Sequence, residues 1–250
     1  MVRYFLEIAY NGKDFCGWQV QPNAPSVQQA IEDVLSTLFR KPTPVTGAGR
    51  TDAGVHALQM FAHFDTDNPL NENLDWKHKL NSMLPPSIAV KNILPVKPDA
   101  HARFDALSRS YFYVIGKEKN PFKTGLYYKY SVPLDVDKMN DAAAKLLHYT
   151  DFTSFSKLHT DTFTNNCTVT EAYWETIAGN ELVFHITANR FLRNMVRAIV
   201  GTLLLVGRGR ISINEFENII EQKNRGLAGA SAPAEGLFLE KISYPPELFL

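Results

Sequence analysis

Gly47 to Ala57 reads GAGRTDAGVHA, which puts three glycines, an arginine, an aspartate and a histidine into one short stretch with apolar segments on both sides. A carboxylate in such company has two chemical uses, as a nucleophile or as a proton acceptor. Glycines lacking a Cβ let the backbone approach a ligand closely, and Arg50 favours the ionised form of Asp52 that attack requires. The plainer reading is structural. An Asp before Ala-Gly forms turns by accepting from nearby backbone N–H groups, and an arginine beside it is an ordinary surface charge.

Other chemistries fail on spacing. A dinucleotide fingerprint begun at Gly47 and Gly49 would need a third glycine where Asp52 stands, which would bring negative charge to a pyrophosphate. A phosphate loop ending in Gly-Lys-Ser/Thr is absent. The residues that follow alternate like a strand, so no helix N-terminus opens there to bind phosphate. Asp52, His56 and His63 show no tightly paired metal-ligand spacing, and an odd separation puts the two histidines on opposite faces of a flat strand. For a glycosidase the next acid downstream is Asp65, roughly 25–30 Å away along a strand rising about 3.3 Å per residue. No metal and no cofactor is expected.

The elements around this stretch are legible. Tyr4, Leu6, Ile8 and Tyr10 alternate as in a half-buried strand that closes at Asn11-Gly12. Ser26 with Gln29 reads as a capping box before a helix carrying Val27, Ala30, Ile31, Val34, Leu35 and Leu38 on one stripe. A strand is predicted over 55–64, then a loop and a short helix stopped by Pro85-Pro86. The polar tract 95–105 is expected to cross between two halves. The second half opens with a strand over 110–116 and a helix over 137–148. Two strands, TVTEAYWETIA and ELVFHITAN, follow, joined by a Gly179-Asn180 hairpin signal. A helix over 190–206 would place Arg190, Arg193 and Arg197 on one face. The expected fold is α+β: two similar-sized α/β lobes, residues 1–104 and 105–250, with mostly antiparallel sheets and an active-site cleft between them.

Composition sets the class. The chain has 250 residues, 45% hydrophobic and 21% charged, with 26 basic and 26 acidic side chains. Zero net charge counts against nucleic-acid binding, but 182–214 holds five arginines and no acid, so one face is expected to be strongly positive. Cys16 and Cys167 match no redox spacing, and sparse cysteine points to a reducing compartment. The N-terminus lacks the apolar run of a signal peptide, and Ala198 to Val206 is too short to span a bilayer. A cytoplasmic protein without membrane association is expected.

GAGRTDAGVHA resembles the signature of the tRNA pseudouridine synthase A family. FCGWQVQ with SVQQAIE, HARFDALSRSYFY, DFTSF, ANRFLRNMVRAIVG and SAPAEGLFLE resemble the family's other landmarks, in its order, over most of Tyr4 to Glu240. The segments 120–129 and 157–166 match none of them. The resemblance implies isomerisation of uridine to pseudouridine on the 3′ side of the tRNA anticodon stem-loop, with no cofactor and usually in a homodimer. It implies Asp52 as the catalytic carboxylate and Tyr111 as the aromatic that packs on the uracil. It implies Arg197 as the basic residue paired with the aspartate, and Leu237 as an apolar neighbour of the base. Arg50 is expected to position the flipped nucleotide, while Arg190 and Arg193 contact phosphate. His56, His101, His159 and His185 are expected to be structural or RNA-facing. Two rivals remain: a tRNA-binding protein of this fold without chemistry, and an N-glycosidase that stops after cleavage.

Overall fold

The computed structural model describes residues 1–157, 163–177 and 181–250. Its elements are β1 (Val2–Tyr10), α1 (Val27–Phe39), β2 (Thr46–Gly47), β3 (His56–Thr66), α2 (Trp76–Met83) and β4 (Ile88–Val96). There follow β5 (Ser108–Gly116), β6 (Tyr128–Lys129), α3 (Val136–Lys145), β7 (Val169–Ile177), β8 (Glu181–Ala188), α4 (Met195–Gly207), α5 (Ile213–Glu221) and β9 (Leu237–Ser243). The chain is α+β with mostly antiparallel strands, and it forms two compact units. The first is Met1–Leu107 with Leu239–Leu250, the second Ser108–Phe238. Leu239–Leu250, placed by the sequence with the C-terminal lobe, therefore folds with the N-terminal residues.

In the first unit the strands run β4-β1-β3-β9, with β2 paired to β3. β1 meets β3 antiparallel from Val2↔Thr66 to Tyr10↔Ala57, with a bulge after Ile8. The alternating residues of β1 are buried as expected, yet Phe5 between them is fully buried too. The C-terminal tail causes this: Tyr244 and Phe249 stand edge-on to the Phe5 ring, at 5.2 and 6.1 Å between centroids. The second face of β1 is thus covered at Phe5 by residues from the far end of the chain, while Arg3, Glu7 and Ala9 on that face stay half-buried. In α1 the Ser26 side chain accepts from the Gln29 N–H, and Val27, Ile31, Val34 and Leu35 are buried. The reciprocal half of the expected box is missing, since the Gln29 amide donates to Asp33 instead. β4 gave no clear signal in the sequence. Pro95 within it is tolerated because β4 is the last strand in this order.

In the second unit the order is β5-β8-β7, and β6 lies parallel to β5. Tyr111 of β5 pairs with Ile186 of β8, which pairs with Ala172 of β7. The Gly179-Asn180 turn expected between β7 and β8 lies outside the described residues, as does His159. Alternate residues Tyr113, Trp174, Phe184 and Ile186 are buried. α3 packs on β7 and on α4. α4 is buried on nearly all sides from Met195 to Gly207, which is why its sequence shows no polar face. It starts later than expected. Asn194 has φ 66, a left-handed conformation that no α-helix continues through, so Arg190 and Arg193 lie ahead of the helix and form no helical stripe with Arg197. α5 begins with a complete capping box between Ser212 and Glu215. No helix among the described residues is long and apolar enough to cross a membrane.

Candidate active site

Asp52 sits between β2 and β3 on a tight turn in which the Val55 N–H donates to the Asp52 carbonyl at 3.2 Å. Gly54, with φ 78, occupies the position in this turn that residues with a Cβ avoid. The segment after β1 clamps the turn from one side. The Trp18 N–H donates to the Thr51 carbonyl at 3.1 Å, and the Gly54 N–H to the Phe15 carbonyl at 3.3 Å. The Tyr10 and Thr51 hydroxyls are hydrogen-bonded at 2.9 Å. Gly17 makes the clamp possible: a Cβ there would lie 2.5 Å from the Thr51 carbonyl oxygen. Gly47 serves similarly, because a Cβ on it would strike the buried Trp18 indole at 2.5 Å. Gly49 differs, with open space where its Cβ would stand. The loop therefore combines a backbone fixed on one side with room for approach on another, and Asp52 is half-buried on it. Arg50 is exposed.

Three histidines of the first unit, His56, His63 and His101, are committed to the backbone. His56 accepts the Gly12 N–H at Nδ1, 3.0 Å away, and His63 accepts the Ala102 N–H at 3.1 Å. Burial pushes His63 down to about 4, which keeps it a neutral acceptor. His101 accepts at Nδ1 from the Arg103 N–H, and His185 is bonded to Glu175. Asp65 is taken by Arg3, whose Nε and Nη2 donate to its two oxygens at 2.8 Å each. That fork holds the Asp65 carboxyl below its usual range. Among the described residues no group of three His, Cys, Asp or Glu is placed to hold a metal, and both cysteines are free thiols. A cavity of about 450 Å³ lined by Lys97, Phe104, Leu107, Pro245 and Leu248 shares no residue with the Asp52 turn.

In the second unit Tyr111 is half-buried on β5, and the Phe191 ring stands edge-on to it at 5.1 Å and 85°. Phe191 belongs to the connection from β8 to α4, which the Arg109 guanidinium ties down by donating to the Asn189 carbonyl at 2.9 Å. Arg190 is half-buried and Arg193 exposed in the same connection, and the Arg193 carbonyl accepts from the Lys157 N–H. Arg197, on the first turn of α4, donates from Nε to the Ala232 carbonyl at 2.7 Å. Leu237 is buried at the start of β9. Sequence reasoning gave no role to the Phe15–Trp18 clamp or to Phe191. The clamp had a signal, a glycine set between Cys16 and Trp18 directly after a strand. Phe191 had none, because an aromatic in a connecting segment acquires meaning only from what it touches.

A half-buried carboxylate on a clamped glycine turn, in an α+β chain without a nucleotide loop, has the chemistry that acid–base or nucleophilic catalysis uses. A family model described as tRNA pseudouridine synthase matches residues 8–105 and 142–245. The chain is 56% identical over 253 residues to tRNA pseudouridine synthase A of Porphyromonas gingivalis, covering all of both chains. It is 56% identical to the protein of that name from Parabacteroides distasonis, covering all of this chain and 98% of the relative. With the protein of that name from Staphylococcus aureus strain MRSA252 it shares 37% identity, over 96% of this chain and 91% of the relative. The chain belongs to the tRNA pseudouridine synthase family. Asp52, Arg197 and Leu237 fall within the matched stretches, and Tyr111 lies between them.

Proposed function

We propose that this protein isomerises uridine to pseudouridine in the anticodon stem-loop of tRNA, with Asp52 as the catalytic carboxylate. The observation that carries the reading is the clamped glycine turn presenting Asp52, in a chain that matches its relatives end to end. The reaction breaks the bond from uracil N1 to ribose C1′, turns the held base, and joins C5 to C1′. N1 gains a proton, C5 loses one, and no electrons leave, so acid–base and nucleophilic groups suffice. A carboxylate serves each route open to it: attack at C1′, attack on the base, or removal of a sugar proton to give a glycal.

The other residues take the roles their chemistry allows. The target base must leave its stack, which costs on the order of a few kcal/mol. Tyr111 offsets part of that cost by stacking on the uracil, and its ring is braced by Phe191. Arg197 supplies positive charge to the reaction, and Leu237 an apolar contact to the base. Arg50, Arg190 and Arg193 contact the RNA backbone. Exposed Arg193 gives a direct check: Arg193→Ala should weaken tRNA binding and lower the slope of log affinity against log salt by about one. An unchanged slope removes Arg193 from the interface. The homodimer and the cytoplasmic location are part of the same proposal, and a solution mass of one 28.2 kDa chain would remove the dimer.

The deciding experiment incubates the protein with unmodified tRNA transcripts and maps pseudouridine afterwards. Pseudouridine in the anticodon stem-loop is the expected product. Binding without product would favour the inactive tRNA-binding protein, and release of free uracil the N-glycosidase.

A further inference from the structure

The first turn of α4 is held by a chain segment far from it in sequence. Asn194 stands at the N-cap, yet its side chain makes no cap bond to the helix. Its Nδ2 donates instead to the Ser231 hydroxyl at 2.6 Å. The same hydroxyl accepts from Arg225 Nη2 at 3.0 Å, while Arg225 Nη1 donates to the carbonyls of Ala228 and Gly229 at 3.3 and 3.1 Å. Ala232, the next residue, exchanges two bonds with Arg197. Arg197 Nε donates to the Ala232 carbonyl at 2.7 Å, and the Ala232 N–H returns one to the Arg197 carbonyl at 2.9 Å. Further along, the Gly229 N–H donates to the Thr202 hydroxyl at 2.9 Å. A Cβ on Gly201 would lie 1.8 Å from the Ala230 carbonyl oxygen, so the segment lies directly against the helix.

This arrangement constrains one torsion that matters. A guanidinium is planar, so fixing Nε to a carbonyl fixes the plane in which both Nη groups lie. The Ala232 carbonyl keeps its place only while the segment before it is held. Arg225 and Asn194 hold it by donating to Ser231 from two sides. A segment needing only to cover α4 would be served by apolar side chains. Two charge-bearing or amide donors converging on one hydroxyl, one residue before the carbonyl that takes Arg197, go beyond that need.

We propose that Arg225 and Ser231 are positioning residues that aim the terminal nitrogens of Arg197 for the isomerisation. The proposal rests on the role given to Arg197 above, and the experiment separates the two. Single-turnover isomerisation of a tRNA transcript is measured for Arg225→Met, Ser231→Ala and Ser231→Thr, each alone and in an Arg197→Met background. A hydrogen bond to a charged group lost from the latch predicts a rate lower by about tenfold for Arg225→Met and Ser231→Ala, with tRNA affinity within about twofold. Ser231→Thr, which keeps the hydroxyl, recovers most of the rate. In the Arg197→Met background neither change costs more than about twofold, because the group it aims is gone. A merely structural latch would instead multiply its cost in that background, and this result overturns the proposal. A slow Arg197→Met with Arg225→Met and Ser231→Ala at full rate overturns the latch alone. Arg197→Met at full rate overturns the role of Arg197 and the latch with it. Should Arg225→Met fail to fold, Ser231→Ala removes a single oxygen and reads the same coupling.

Discussion

Asp52→Asn is expected to reduce isomerisation of a tRNA transcript by at least about 10³-fold while the protein folds and binds tRNA as before. The size follows from chemistry. An amide of nearly the same shape neither attacks carbon at neutral pH nor accepts a proton, so every route open to the carboxylate closes together. The preservation of fold follows from how the turn is built. Its bonds include those of the Thr51, Asp52 and Gly54 backbone and of the Thr51 hydroxyl, and exchanging one side-chain oxygen of residue 52 for an amide removes none of these. Melting temperature and tRNA affinity are measured beside the single-turnover rate. A well-folded Asp52→Asn protein working within tenfold of the native rate would falsify the assignment. A comparable loss caused by unfolding would show as a lowered melting temperature, which the unaltered backbone bonds argue against.

What the sequence disclosed follows from how local each signal is. β1, α1, β3 and the β7–β8 pair are legible because a period of two or of 3.6 is written in neighbouring residues. The Asp52 turn is legible for the same reason: Gly47, Gly49 and Gly54 and the carboxylate lie within one short stretch. The start of α4 is not, because apolar residues continue across Asn194. The helix is interrupted there by the left-handed backbone of Asn194, whose side-chain amide is bonded to Ser231, a residue 37 positions away. The full burial of Phe5 depends on Tyr244 and Phe249, and the aim of Arg197 on Ala232. These are contacts between distant parts of the chain, and one residue of such a pair carries no mark of the other. β4 hid behind Pro95, a residue that argues against a strand until the position at the end of the order is known.

The second large effect is expected at Gly17, which touches no substrate in the proposed reaction. Its φ of 98 lies where L side chains are strained, at a cost of roughly 1–2 kcal/mol. An added methyl would also sit 2.5 Å from the Thr51 carbonyl oxygen and 3.1 Å from the Asp52 carbonyl carbon. Both atoms are backbone, so no side chain can swing aside, and relief requires the Asp52 turn to move away from the Phe15–Trp18 clamp. Displacement of a catalytic group by about 1 Å costs on the order of 10² in rate. Gly17→Ala should therefore lose about 100-fold in single-turnover rate and melt lower by several degrees, at about 2–4 °C per kcal/mol for a chain of this size. Gly49→Ala is the matched control: its φ lies outside the left-handed region and its Cβ position is open, so its melting temperature should stay within about 1 °C of native. Native rate and native melting temperature in Gly17→Ala would mean that the turn absorbs a methyl without moving. In that case the close approach of the two segments would have no part in holding Asp52.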